Sequence, residues 1–321
     1  MKRLRSVAVL VIALGASCLV EAQEGYPERP IRIVVPATAG GTQDTLARLI
    51  APKLSERLNQ SVVIDNRNGA GGMMGAAAVA KAAPDGYTLL LGGPSFAVNA
   101  AIRAHLPYDP LKDFSGVAPI GYGTTVLLAT PALGVTSVKE LIAVAKSQPG
   151  KILFGSAGAG SGTYMNAERF RLAAGIDARH VGFKGQPEFL LEIAAGRVHY
   201  GVGGLFAALP LIRDGKLVPL AVTTDKRSTI LPDVPTSAEV LPGWGRDGTQ
   251  GVLVPSRTPR AIVQRLNQEV TRVLTLPETR ARFQAVDFNV VTGTPEAFDR
   301  MLRSDIEVFS KVAKAGGLIA K

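Results

Sequence analysis

Short apolar runs alternate with longer amphipathic segments along this chain of 321 residues. The apolar runs predict strands at residues 31–35, 62–65, 87–91, 126–130, 152–154, 180–183, 200–203, 219–223 and 251–254. Apolar residues at helical spacing and capping signals predict helices at residues 44–58, 73–82, 137–146, 164–174 and 187–195, and a helical tail begins at prolines 259, 277 and 295. Short strands that are apolar on both faces and separated by helices predict an α/β fold with mostly parallel sheets flanked by helices.

The order of these segments predicts two α/β units with a cleft between them. Connections near residues 130–135 and 224–250 lead out of the first unit and back into it. We therefore expect residues 23–130 and 248–321 to form domain 1 and residues 131–247, including the crossover segments, to form domain 2.

The first 22 residues have the pattern of a secretory signal peptide. Lys2, Arg3 and Arg5 precede an apolar stretch at residues 7–14, and small residues stand at the expected cleavage site near Ala22. Cys18 is the single cysteine, and it lacks the apolar residue three positions earlier that lipoprotein anchoring requires. We therefore expect soluble export, and a mature chain without disulfides, a thiol nucleophile or a cysteine metal site.

Two glycine-rich turns, at residues 36–44 and 156–163, each follow a predicted strand and open a predicted helix. Glycine lets backbone N–H groups converge, and a helix N-terminus carries roughly half a positive charge. Each turn is therefore typical of an anion site. Four or five donors at roughly 1.5–3 kcal/mol each supply the ~8 kcal/mol of micromolar binding, even after association costs. The two turns predict a clamp on a small anion.

Other functional classes lack their signals. The net charge is +10, but basic residues are scattered and aromatic residues make up 6% of the chain, so the pattern does not favour nucleic-acid binding. There is no G-x-S-x-G motif or P-loop lysine, and Thr163 replaces the third glycine of a dinucleotide fingerprint. His105, His180 and His199 are isolated and have no metal-ligand spacing. We expect no enzyme activity, no cofactor and no metal.

A series of short motifs runs in order through the chain. They are VVP at 34–36 with GG at 40–41 and Asp44, VVIDNR at 62–67 with GAGG at 69–72, PDGYTLL at 84–90, LPYDP at 106–110 with DF at 113–114, and LPDVPT at 231–236. Over essentially the whole mature chain, this series resembles the Bug-type (Bordetella uptake) extracytoplasmic solute receptors. These are the substrate-binding subunits of tripartite tricarboxylate transporters.

The resemblance implies a type II periplasmic binding protein whose two domains close like a flytrap over a ligand cleft. It implies a periplasmic, monomeric receptor that binds a small carboxylate and passes it to the membrane subunits of the transporter. Two alternatives remain open at this point. The same pocket can serve a signalling system as a ligand sensor, and a secreted hydrolase is a remote third possibility.

The positions carried over from the family predict the ligand contacts. They are Thr38, Gly40, Gly41 and Thr42 in the first turn, Ser156, Gly160, Ser161 and Thr163 in the second, Ser95 and Asn99 in a loop after the third strand, and Gln186 in a Lys-Gly-Gln loop. Lys184 in that last loop either pairs with the ligand or is structural.

Three further candidate contacts depart from the family pattern. Ala37 replaces a frequent aromatic residue, Tyr164 replaces a histidine, and His199 replaces an aspartate. A missing aromatic wall enlarges the pocket, and a missing acid disfavours a ligand amine. We therefore expect a di- or aromatic carboxylate without an amine, unless Ala37 and His199 lie away from the ligand.

Overall fold

Two β-sheets organise residues 25–245 and 248–319, which are the residues that this computed structural model describes. The first sheet contains β1 (Ile31–Val35), β2 (Val62–Asn66), β3 (Thr88–Gly92), β4 (Phe114–Gly123), β10 (Gln250–Pro255) and β11 (Phe288–Val290), in the order β11-β4-β10-β3-β1-β2. The second contains β5 (Thr125–Ala129), β6 (Ile152–Ser156), β7 (Ala178–Gly182), β8 (Tyr200–Gly204) and β9 (Val218–Val222), in the order β7-β6-β8-β5-β9. The predicted signal peptide lies outside the described residues.

Helices cover both faces of each sheet, and we call each sheet with its helices a lobe. The first lobe contains α1 (Thr42–Leu58), α2 (Met73–Ala80), α3 (Pro94–Ile102), α9 (Arg260–Thr275), α10 (Pro277–Ala285) and α11 (Pro295–Ala315). The second lobe contains α4 (Val138–Ser147), α5 (Gly162–Ala174), α6 (Gln186–Ala194), α7 (Leu205–Arg213) and the short α8 (Ser237–Val240). No helix within the described ranges has an apolar stretch of the length and hydropathy that a bilayer requires.

Successive side chains of each strand pack on opposite faces of its sheet. In β1, Ile33 packs in the core with α1 and α9, whereas Val34 packs in the core with α2, α3 and α11. In β5, Leu127 and Leu128 divide in the same way between the two cores of the second lobe. This explains the doubly apolar strands in the sequence, and the predicted α/β class with helix-covered sheets is confirmed.

Both sheets are mixed, although most strands in each point the same way. Strands β1, β2 and β3 are parallel, whereas β10 is antiparallel to its neighbours β3 and β4. Strand β5 is likewise antiparallel to β8 and β9. Strands β5 and β10 each follow a crossing between the lobes and enter their sheet from the opposite end. The edge strand β11 is also antiparallel to its neighbour β4.

The first crossing lies one strand earlier than the sequence suggested. Residues 126–130 were expected in domain 1, but β5 pairs with β8 and β9 in the second sheet, so the chain crosses at Thr124. The reason is β4, a ten-residue strand that contains Pro119 and Gly121 and therefore resembles a loop in the sequence. A register shift against β10 accommodates these residues in the sheet.

Candidate ligand-binding site

Helices α1, α2, α3, α5, α6 and α7 all begin at one cavity between the lobes. The cavity has a volume of about 130 Å³, several times what one water molecule needs. Its lining residues are Pro36, Ala37, Thr38, Gly41, Thr42, Gln43, Asn68, Gly71, Gly72, Pro94, Ser95, Gly123, Thr124, Thr125, Ala157, Ser161, Gly162, Thr163, Asn166, Lys184, Gly185, Gln186, Gly204, Gly248 and Gln250. The cleft between two α/β units that the sequence predicts is therefore present, and helix N-termini from both lobes meet in it.

Most of these helix starts have no side-chain cap. The N-cap residues of α1, α3, α6 and α7 are Gly41, Gly93, Gly185 and Gly204, and none of these helices has a capping hydrogen bond from a side chain. By contrast, α4 and α11 begin away from the cavity, and the hydroxyls of Ser137 and Thr294 cap them. Because the first N–H groups of a helix have no partner within the helix, the glycine-capped starts leave donors available at the cavity. The exceptions are Pro94 and Pro187, which have no N–H group, and Phe96 N, which donates to Gly93 O at 2.9 Å.

The start of α5 is built differently, because two hydroxyls fix its loop. Ser161 Oγ accepts a hydrogen bond from Tyr164 N at 3.1 Å, and Thr163 Oγ1 accepts one from Ala157 N at 3.0 Å. The two hydroxyl oxygens lie 2.9 Å apart, so one of their two hydrogens joins them. The other hydrogen remains free to donate into the cavity, which both residues line.

The two lobes are closed on each other in this structure. Asn99 Nδ2 donates to Gly71 O in its own lobe at 2.9 Å and to Gly160 O of the second lobe at 3.3 Å. Thr42 Oγ1 donates to Gln186 Oε1 across the cleft at 3.5 Å. Met165 of α5 is fully buried in the first-lobe core that contains α3 and α11. These contacts enclose the cavity between the lobes.

Eight of the fourteen predicted contacts line the cavity. They are Ala37, Thr38, Gly41, Thr42, Ser95, Ser161, Thr163 and Gln186. Lys184, for which two roles were open, also lines it, with an exposed side chain. The predicted contacts outside the lining are Gly40, Asn99, Ser156, Gly160, Tyr164 and His199.

Three of these six shape the turns. Gly40 N donates to Asp44 Oδ2 at 2.9 Å, which makes Asp44 a cap of the first turn. Ser95 and Asn99 lie on helix α3 rather than in a loop, and the Asn99 amide bridges the lobes instead of facing the cavity. Gly160 has a φ of +94° and packs so closely on Asn99 that a side chain at this position would clash with it.

The other three lie behind or far from the cavity. Ser156 Oγ is 2.7 Å from His180 Nε2 and accepts from Gly158 N at 3.2 Å. The Tyr164 ring packs against the His180 ring with centroids 4.7 Å apart. His199 accepts from Leu153 N through Nδ1 at 2.8 Å. It precedes β8, whose far end at Gly204 reaches the cavity, so roughly 16 Å of strand separates His199 from the cavity.

The charges around the cavity favour an anion. Its lining contains one cationic side chain, Lys184, and no acidic one among the described residues. Asp44 is buried directly behind the first turn. Burial opposes its ionisation, but hydrogen bonds from Arg48 and Gly40 outweigh this effect and lower the pKa of the carboxyl below its ordinary value. The Asp44 carboxylate therefore interacts with the turn and with Arg48, whose Nε lies 2.9 Å from Asp44 Oδ2.

Several lining residues had no signal in the sequence. Thr124 and Gln250 lie on the two connections between the lobes, and Asn166 lies one turn into α5. They are far apart in sequence and belong to no glycine motif, so only the fold brings them together.

No group of three or more histidine, aspartate, glutamate or cysteine residues forms a metal site in the described part of the chain.

The half-buried His180 predicts how the stability of this protein depends on pH. Burial lowers the pKa of His180 from 6.5 to about 4. Between these values the unfolded chain binds a proton that the folded chain does not, so the free energy of unfolding falls as pH falls from 6.5 to 4. We expect His180→Gln to reduce the decrease in melting temperature between pH 7 and pH 4.5.

We expect part of the decrease in melting temperature to remain in His180→Gln, because burial also lowers the pKa of His199. The control is His105→Gln, which changes an exposed histidine of the first lobe. A decrease that is the same in the wild type and in His180→Gln would contradict the assignment.

Comparison with known proteins also indicates that this chain binds a solute. Residues 46–318 match the model of the tripartite tricarboxylate transporter family receptor. Protein BugT of Bordetella pertussis is 33% identical over 320 residues, which cover 99% of this chain and 98% of that protein. The solved structure of R. palustris Rpa4515 with adipate is 38% identical, with a TM-score of 0.87 over 91% of this chain and 98% of that chain.

A second solved structure, MatC (Rpa3494) from Rhodopseudomonas palustris with bound malate, is 31% identical, with a TM-score of 0.85 over 89% of this chain and 99% of that chain. The family consists of solute-binding receptors rather than enzymes, as we expected of this chain. The chain therefore belongs to the tripartite tricarboxylate transporter family of receptors, the Bug-type solute-binding proteins.

Proposed function

We propose that this chain is a periplasmic receptor that captures a small carboxylate, most favourably a dicarboxylate, in the cavity between its lobes. It then delivers the acid to the membrane subunits of a tripartite tricarboxylate transporter. The observation that supports this most strongly is the ring of glycine-capped helix starts around a cavity whose described lining residues include no acidic side chain. Such a ring attracts an anion and offers no group that would transform it.

Backbone N–H groups are well matched to carboxylate oxygens. Each hydrogen bond to a charged acceptor contributes roughly 1.5–3 kcal/mol, and a helix N-terminus adds about 0.3–1 kcal/mol. The starts of α1 and α3 supply donors from the first lobe, and those of α5 and α6 supply donors from the second. The proposed ligand contacts are therefore the lining residues, with Thr42, Gln43 and Ser95 facing Ser161, Thr163 and Gln186.

The presence of donors in both lobes favours two acid groups on one ligand. Of the related structures, one is described with adipate and another with bound malate, and both ligands are dicarboxylates. A ligand ammonium would find no carboxylate in the lining, which supports an acid without an amine. His199 does not reach the cavity and therefore has no bearing on a ligand amine, whereas Ala37 lines the cavity and leaves room beside the first turn.

The location and the membrane partner follow from the family and the predicted signal peptide. The family receptor acts with a tripartite transporter, and residues 1–22 have the pattern of an export signal. We propose that domain 1 and domain 2 correspond to the two lobes, with β5 moved from domain 1 to domain 2, so that ligand-bound closure presents both lobes to the membrane subunits. Loss of uptake of the bound acid on deletion of the gene tests this step.

Thermal unfolding tests the ligand class. The panel contains succinate, malate, glutarate, adipate and terephthalate, with succinamide as an uncharged control. Linkage predicts a stabilisation of about 2.7 kcal/mol at a hundredfold excess over the dissociation constant. We expect at least one diacid to raise the melting temperature, and succinamide to have no effect because it lacks the charge. A panel without any shift, or an equal shift with succinamide, would contradict the proposal.

The variant Gly162→Ala tests whether diacid binding needs the closed arrangement of the lobes. A Cβ atom at this position would lie 2.7 Å from Pro94 Cβ on the opposite lobe, and the proline ring cannot move aside. We expect Gly162→Ala to weaken diacid binding at least tenfold, because the lobes cannot close fully. The melting temperature of the ligand-free protein should be unchanged, because the clash lies between the lobes and not within one.

The matched control is Gly182→Ala, in the same lobe. A Cβ there would have ordinary contacts, with the nearest atom of His180 at 3.4 Å. Diacid affinity should remain at the wild-type value in this variant. Wild-type affinity in Gly162→Ala would show that binding does not need the closed arrangement.

A further inference from the structure

One buried amide in the cavity wall has no partner. Gln250 is 4% exposed and lines the cavity at the start of β10, on the second connection between the lobes. Its Oε1 is buried, and its side chain has no hydrogen bond to any residue in the part of the chain that the structure describes. A buried acceptor without a partner is unfavourable, so a ligand in the cavity is the expected partner of this oxygen.

The surroundings of Gln250 do not supply a partner. The Gln43 and Gln250 side chains lie on either side of Gly93: a Cβ added at Gly93 would lie 2.7 Å from Gln43 Nε2 and 3.6 Å from Gln250 Cγ. Gln43 Nε2 donates one hydrogen to Leu91 O at 3.0 Å, and its second hydrogen does not reach Gln250 Oε1, which has no partner among the described residues. The missing side chain at Gly93 leaves room for both amides, and the Gln250 amide is left for whatever occupies the cavity.

The chemistry of the amide restricts what can satisfy it. A primary amide has an acceptor on one atom and donors on the other. An ionised carboxylate accepts but cannot donate, so it leaves Oε1 unpaired. An ammonium donates, but no acidic side chain of the described residues lines the cavity to balance its charge. A neutral hydroxyl donates to Oε1 or accepts from Nε2, and it therefore suits the amide in either orientation.

Building on the proposed function, we propose that Gln250 determines specificity by binding a hydroxyl group on the ligand, so that this receptor prefers hydroxy diacids to their unsubstituted analogues. The helix starts hold the carboxylates, and the Gln250 amide recognises the hydroxyl between them. A hydroxyl beside a carboxylate fits best, because the pair presents a donor next to an acceptor, as the amide edge does.

Matched acids and matched variants test this assignment. The acids are malate, succinate and aspartate with four carbons, 2-hydroxyglutarate, glutarate and glutamate with five, and 2-hydroxyadipate and adipate with six. Their dissociation constants are measured by calorimetry for the wild type, Gln250→Met and Gln264→Met. Methionine keeps the length of the side chain, and Gln264 is an exposed glutamine on α9 outside the cavity.

We expect the wild type and Gln264→Met to bind the hydroxy acid about tenfold more tightly than its analogue of the same length. In Gln250→Met this ratio should fall to about one, while the melting temperature of the ligand-free protein stays at or above that of the wild type, because no protein hydrogen bond is lost. Gln250→Leu provides the same comparison if the methionine variant folds poorly.

The outcomes separate the two proposals. Diacid binding without a preference for the hydroxyl, a preference that persists in Gln250→Met and Gln250→Leu, or aspartate binding as tight as malate binding would overturn the role of Gln250. The carboxylate receptor would stand in each of these cases. Absence of binding by all eight acids would overturn the proposed function, and the role of Gln250 with it.

Discussion

The unpaired N–H groups at the glycine-capped helix starts are the feature on which the rest of this structure depends. Serine or threonine caps satisfy such groups in α4 and α11, but Gly41, Gly93 and Gly185 leave them open at the cavity. In an open cleft water can satisfy them at little cost. Once the lobes close, a buried donor without a partner is expensive, so an acceptor in the cavity stabilises the closed arrangement. This couples capture of an anion to closure.

Glycine has a second role at the contact between the lobes. A side chain at Gly162 would collide with Pro94, and one at Gly160 would collide with Asn99, in each case from the opposite lobe. The same residue type therefore exposes backbone donors and lets the two backbones approach closely. Asn99 links the two lobes at this contact, because its amide donates both to Gly71 O of its own lobe and to Gly160 O of the other lobe.

Much of the fold was predictable, because doubly apolar strands and amphipathic helices leave strong local patterns. Helices α3 and α7 and strand β4 were missed, because the apolar α3 shows no amphipathic period, Pro210 lies inside α7, and Pro119 and Gly121 in β4 resemble turn residues. The short α8 and β11, of four and three residues, were missed as well. Six of the predicted contacts that line the cavity lie in the two glycine turns, whereas Ser95 and Gln186 came from the resemblance to the family. Gln250 and Thr124 had no local signal, since they reach the cavity through the two crossings. His199 was misplaced because its sequence neighbours do not reveal which end of β8 meets the cleft.

A crystal structure of the protein grown with its tightest-binding diacid would test the central claim most directly. The account predicts closed lobes, with one carboxylate within about 3.2 Å of backbone N–H groups at the start of α1 or α3 and the other near the start of α5 or α6. A diacid held mainly by the Lys184 side chain, or bound while the lobes stand apart with the helix starts in water, would contradict it.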